Sequence, residues 1–87
     1  RRRRPGGLHV VTRRHGGLHV ITRSDGQLAW ADVYVDGRKV GQSPQQLDRL
    51  PAGVHRVEVR RPGFQPRVRK VRVLPGRTVK VILDLKR

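Results

Sequence analysis

The apolar residues of this chain fall mostly at every second position, in short runs cut by glycine and proline. Ala31, Val33 and Val35 alternate with Asp32 and Tyr34. His55, Val57 and Val59 alternate with Arg56 and Glu58. Val71 and Val73 flank Arg72, and Val79, Val81, Leu83 and Leu85 share one face of the last run. A period of two marks a strand with one buried face. No stretch carries an apolar period near 3.6 with a cap at each end. The pattern therefore predicts an all-β fold, a small antiparallel β-sandwich of about six to seven short strands. Its core should be aliphatic, with Trp30, Tyr34 and Phe64 as the only aromatics.

The cuts between runs are chemically specific. Asp36-Gly37 suits the two central positions of a type I′ hairpin, which both need positive φ. Gly41 suits a bulge, and Pro44 bars its segment from a central strand. Residues 45–49 are short enough for a further strand or an irregular edge. Leu50-Pro51-Ala52-Gly53 fits a type I turn, and Pro62-Gly63 and Pro75-Gly76 fit type II turns. Ser24-Asp25-Gly26-Gln27 is another turn cluster. Val68 is out of phase with Val71 and Val73, so a bulge is expected near Arg69-Lys70.

The N-terminal part is a tandem repeat. Residues 6–15 read GGLHVVTRRH and residues 16–25 read GGLHVITRSD, identical at seven of ten positions. Two copies at so short a period do not make a solenoid. Each copy reads as a version of the same first strand. The second is contiguous with the domain, so residues 17–23 are placed in the sheet. Residues 1–15 are then a basic arm carrying a duplicate of that strand, and residues 16–87 are the domain. The duplicate is expected to compete with residues 16–23 for one place, or to pair with another chain.

Charge changes the picture more than length does. The chain has 21 Lys and Arg against 6 Asp and Glu, a formal net charge of +15. Six arginines and no acid put +6 in residues 1–15, leaving +9 for residues 16–87. Such a balance attracts phosphates, anionic lipids and acidic proteins. A solvated basic face is the plain alternative. Arg60, Arg61, Arg67, Arg69, Lys70 and Arg72 are the candidate contacts for an anionic partner. Unspecific nucleic-acid binding is a second reading, but the interleaved aromatics that stack single-stranded bases are sparse. No helix is predicted that could read a groove.

Catalysis finds little support. The chain has no cysteine, so it has no disulfide framework and no thiolate site. His15 and His19 on one strand would lie about 13 Å apart, too far to share a metal ion. Ser24 and Ser43 sit in turn contexts without an evident base. Gly16-Gly17 and Gly6-Gly7 read as strand-entry hinges, because a phosphate cradle needs a following helix. No catalytic residue, metal or cofactor is expected. No run reaches the length of a membrane-spanning segment, and the absence of an initial Met marks the sequence as a piece of a longer protein.

The ordered set Ala31, Val33, Val35-Asp36-Gly37, then Gly41-x-Ser43-Pro44, Leu50-Pro51-x-Gly53-x-His55, and Pro62-Gly63-Phe64 resembles the PEGA domain. The resemblance runs through the last two strands and covers about residues 16–85. The tetrapeptide that names that family falls at Leu28-Ala29-Trp30-Ala31, where only Ala31 agrees. That stretch is more similar to the variants appended to bacterial serine/threonine kinases, which carry Trp before the Ala. The resemblance implies a non-catalytic accessory or interaction module of a larger bacterial signalling or cell-surface protein, extracytoplasmic or membrane-associated, with a cytoplasmic place left open by the residues themselves. Its partner would be an acidic protein or the cell envelope, met through a basic surface or by strand addition.

Overall fold

The computed structural model describes residues 14–87. Eight strands form two sheets: β1 His15–Ser24, β2 Gln27–Leu28, β3 Asp32–Val35, β4 Arg38–Gln42, β5 Gln45–Pro51, β6 Gly53–Arg60, β7 Arg67–Val73 and β8 Thr78–Asp84. In sheet A, β1 is central. Strand β8 runs parallel to it along residues 17–23, while β5 pairs with residues 15–20 and β2 with residues 23–24, both antiparallel. A strand has only two edges, so β5 and β2 follow one another along the edge opposite β8. Sheet B is antiparallel throughout, in the order β4-β3-β6-β7.

The two sheets close on an aliphatic core. Leu18, Val20, Val81, Leu83 and Leu85 meet Ala31, Val33, Val35, Val57, Val59 and Val71. These are the alternating positions of the sequence pattern, because successive side chains on a strand point to opposite faces. Each such Val or Leu contributes about 1.5–3 kcal/mol of burial free energy. The aromatics stand apart from this centre. Phe64 packs on its margin and Trp30 is 42% exposed.

Among the described residues, proline or glycine sits at three of the four points where the chain changes sheets, the β2–β3 crossing at Ala29 to Ala31 having neither. The β4–β5 crossing passes Ser43-Pro44, the β5–β6 crossing passes Ala52-Gly53, and the β7–β8 crossing passes Pro75-Gly76. Asp36 and Gly37 have φ of 52° and 85°, the type I′ geometry expected of that pair. Asp25 and Gly26 repeat it with φ of 52° and 78° between β1 and β2. The register of β3 against β4 shifts between Val33 and Tyr34, so Gly41 does mark a bulge. Phe64 N–H donates to the Arg61 carbonyl at 3.0 Å, and Arg77 N–H to that of Leu74 at 3.2 Å, closing the two Pro-Gly turns.

Four expectations change. The β6–β7 register runs unbroken from Gly53↔Val73 to Val59↔Arg67, so there is no bulge at Arg69-Lys70. Val68 instead lies on the outer face opposite Glu58, 46% exposed, while Arg67 and Arg69 share the row of Val71 and Val73. Leu50 to Gly53 is not a type I turn: Pro51 still pairs with His15 in β5, and Gly53, with φ of 130°, opens β6. Ser43 keeps its place in the β4–β5 connection, but its side chain is buried and serves β3 and β1 as well as its own turn. The Ala31 N–H donates to its Oγ at 2.9 Å, its hydroxyl contacts that of Thr22, and the Thr22 hydroxyl donates to the Ala29 carbonyl. Last, His15, the final residue assigned to the arm, is the first of β1. Residues 6–13, the duplicate strand, lie outside the described residues.

Gly16 and Gly17 hold a packing role. A Cβ on Gly16 would run into the Leu74 carbonyl oxygen and stand 2.8 Å from that of Arg77. On Gly17 it would stand 2.6 Å from Thr78 Oγ1. Strand β1 enters the sheet beneath the β7–β8 loop, and only glycine leaves room there.

Candidate functional site

The outer face of sheet B follows from the same alternation that fills the core. Residues opposite one another across the strands are Arg56↔Lys70, Val54↔Arg72, Glu58↔Val68, Tyr34↔Glu58, Asp32↔Arg60 and Tyr34↔Lys39. Five cations, Lys39, Arg56, Arg60, Lys70 and Arg72, therefore share a face with two acids, Asp32 and Glu58. Glu58 lies at the centre, only 8% exposed. Arg60 Nε donates to its Oε2 at 2.6 Å, and Arg56 Nη1 stands 3.8 Å from Oε1. The Arg60 guanidinium also covers the Tyr34 ring, 4.8 Å from its centroid. The Glu58 carboxylate holds the Arg60 pKa above its ordinary value. Asp32 takes Lys39 at 3.4 Å. Lys70 and Arg72, on edge strand β7, carry no ion pair among the described residues. They remain available to an incoming anion, with the exposed Val54 and Val68 beside them.

The six cations named from sequence do not form one track. Arg60, Lys70 and Arg72 share this outer face. Arg67 and Arg69 belong to the opposite row of β7, and Arg67 Nη1 donates to the Asp84 carbonyl of β8 at 2.7 Å. Arg61 lies at one end of the sandwich, 4.6 Å from the Trp30 ring and 5.4 Å from that of Phe64. Arg87 covers Phe64 at 4.8 Å. With exposed Leu28 they line an open groove. Each of the three aromatic rings thus carries an arginine on its face, which occupies a surface that base stacking would need. Sequence reasoning missed Arg56 and Lys39. The signal was there, since Arg56 alternates in step with Glu58 and the two-residue Asp36-Gly37 hairpin sets Lys39 opposite Tyr34.

The family-pattern residues take structural positions. Ala31, Val33 and Val35 are buried, Leu50 and Phe64 pack on the core margin, and Gly63 supplies the positive φ of its turn. Pro44 follows the buried Ser43 in a cis peptide bond. Asp36 and His55 are joined. Asp36 Oδ2 lies 2.6 Å from His55 Nδ1, and Asp36 Oδ1 accepts the Arg56 N–H at 2.9 Å. His55 Nε2 lies 2.6 Å from the Pro51 carbonyl oxygen. The Pro51 carbonyl first, and Asp36 second, raise the His55 pKa above 6.5. The Arg56 N–H first, and His55 second, lower that of Asp36 below 3.8. Both ring nitrogens face acceptors within the protein, so neither is turned toward a substrate or a metal. Among the described residues, no group of three or more His, Cys, Asp or Glu could hold a metal ion. No helix is long and apolar enough to cross a membrane, again among the described residues.

No curated protein matches the chain. A family model does: that of the PEGA domain matches residues 15–87, from the first residue of β1 to the last of the chain. The two-sheet fold, the Asp36-Gly37 hairpin, the Ser43-Pro44 crossing and the Pro62-Gly63 turn all lie within that span, and the chain belongs to the PEGA domain family.

Proposed function

We propose that this domain is a non-catalytic module of a larger bacterial signalling or cell-surface protein, outside the cytoplasm. It presents the outer face of sheet B to an acidic protein or an anionic envelope surface. The observation that carries the reading is the asymmetry of that face. Glu58 holds Arg60 by a hydrogen bond and has Arg56 within 3.8 Å, while Lys70 and Arg72 on the edge strand carry no ion pair among the described residues. Pre-positioned cations lose less side-chain freedom on binding than free ones. Unpaired ones supply most of the attraction and steer the encounter.

The mechanism is display rather than turnover. Two packed sheets hold the cations at fixed spacing, with Val54 and Val68 adding apolar contact between them. Co-sedimentation of the full chain with phosphatidylglycerol vesicles, phosphatidylcholine vesicles and polyglutamate tests it. The expected result is binding to both anionic probes at physiological salt and none to phosphatidylcholine. Failure to bind either anionic probe overturns the reading. A short DNA duplex serves as a further probe. Tighter binding to DNA, with log affinity falling linearly in log salt, would support the nucleic-acid reading instead.

A further inference from the structure

One end of the sandwich holds a cationic feature built differently from sheet B. The Gln65↔Lys86 bridge sets residues 86–87 beside the β6–β7 turn, with the Gln65 N–H donating to the Lys86 carbonyl at 2.5 Å. Rings and guanidiniums alternate there. Arg61 lies 4.6 Å from the Trp30 ring and 5.4 Å from that of Phe64, and Arg87 lies 4.8 Å from Phe64. Arg61 Nη1 also donates to the Trp30 carbonyl at 3.2 Å. The β1–β2 hairpin lines the rest, leaving an open groove of about 450 Å³. That volume is in the range of clefts that take ligands.

Stacking holds a guanidinium by its face and leaves its in-plane donors for a carboxylate, which they can grip two at a time. Neither Arg61 nor Arg87 is in an ion pair among the described residues. Asp25, at the hairpin tip, is the single acid of the lining and pairs with neither. Beside these cations Leu28 is 72% exposed and Trp30 42%. We infer that the groove binds an extended segment of another protein in which an apolar side chain is flanked by carboxylates. The carboxylates meet Arg61 and Arg87, and the apolar side chain covers Leu28 and the open part of Trp30. A free phosphate would satisfy the guanidiniums and leave both apolar surfaces in water. Charge opposes the chain's own start, since residues 1–13 hold five arginines (Arg1 to Arg4 and Arg13) and no acid. It opposes a second copy as well, at a net charge of +15. The site does not rest on the reading given for sheet B: Lys70 and Arg72 lie opposite Arg56 and Val54, toward the other end of β6.

Trp30 is the chain's only tryptophan, so its emission reports on the groove. Three short peptides are titrated into the full chain at physiological salt: one leucine between glutamates, the same peptide with glutamine for glutamate, and the same with glycine for leucine. The expected result is saturable binding of the first with a change in Trp30 emission, and binding of the other two about tenfold weaker or less. Anisotropy of the labelled first peptide then compares variants. Leu28→Ser and Arg87→Gln, both at exposed positions, should each weaken it about tenfold. Lys70→Gln with Arg72→Gln should leave it little changed, which separates this groove from the sheet B face. Equal binding of the three peptides, an unmoved Trp30 emission, or equal loss in the sheet B variant would each overturn the proposal. So would displacement of the bound peptide by inorganic phosphate or by phosphatidylglycerol vesicles at matched concentration.

Discussion

His55 Nδ1 and Asp36 Oδ2 lie 2.6 Å apart, binding strand β6 to the β3–β4 turn. The other ring nitrogen faces the Pro51 carbonyl at 2.6 Å. A carbonyl and an ionised carboxylate only accept, so both contacts are hydrogen bonds when the ring is protonated. The turn aspartate of the sequence thereby becomes a structural anchor.

This sets a pH window. His55 has a raised pKa, so its contribution is fully present below 6.5 and is lost as pH rises through the raised value. Asp36 has a lowered pKa, so its contribution is present above 3.8 and is lost as pH falls through the lowered value. Stability from this pair should be greatest between the two ordinary values. Urea unfolding between pH 5 and pH 9 should show a decline toward high pH that His55→Gln removes. The same decline in the variant would contradict the assignment.

The buried hydroxyl chain gives a second prediction. Ser43→Ala leaves the Ala31 N–H without its side-chain acceptor and should cost about 1–3 kcal/mol. Thr22→Val should cost a similar amount. The double variant should be less destabilised than the sum of the two, because they share one network. Simple additivity in a double-mutant cycle would show that the two hydroxyls act separately.

Glycine substitutions separate packing from turn conformation. Gly16→Ala drives a methyl group into two backbone carbonyls and should cost at least about 1–3 kcal/mol. Gly26→Asn meets nothing within 4 Å, and asparagine tolerates its φ of 78°, so its effect should be small. Thermal denaturation of the two variants reads the difference, and equal losses would refute the close-approach argument.

Much of the fold was legible in the chain, for local reasons. Asp36-Gly37, Gly41 and Pro62-Gly63 are positions where backbone conformation selects the residue, so the residue reveals the conformation. The buried rows of β3, β6 and β8 followed from alternation. Pairing did not, because alternation says which face a residue takes and not which strand lies beside it. Hence the parallel pairing of β1 with β8 and the two-residue β2 were not foreseen. The same limit governs the candidate site. Arg67 and Arg72 are near in sequence but on opposite rows of β7, whereas Arg56 and Lys70 meet only through the β6–β7 register.

The central claim is that the arrangement of cations on sheet B, and not the total charge, attracts the partner. Phosphatidylglycerol vesicle binding by two charge-matched variants of the full chain tests it most directly. Lys70→Glu with Arg72→Glu removes the unpaired cations of the outer face. Lys80→Glu with Arg69→Glu makes the same change in net charge away from it, Lys80 lying opposite His19 on sheet A and Arg69 in the other row of β7. The account predicts that the first variant loses most of its binding and the second retains most of it. Equal loss in both would contradict it.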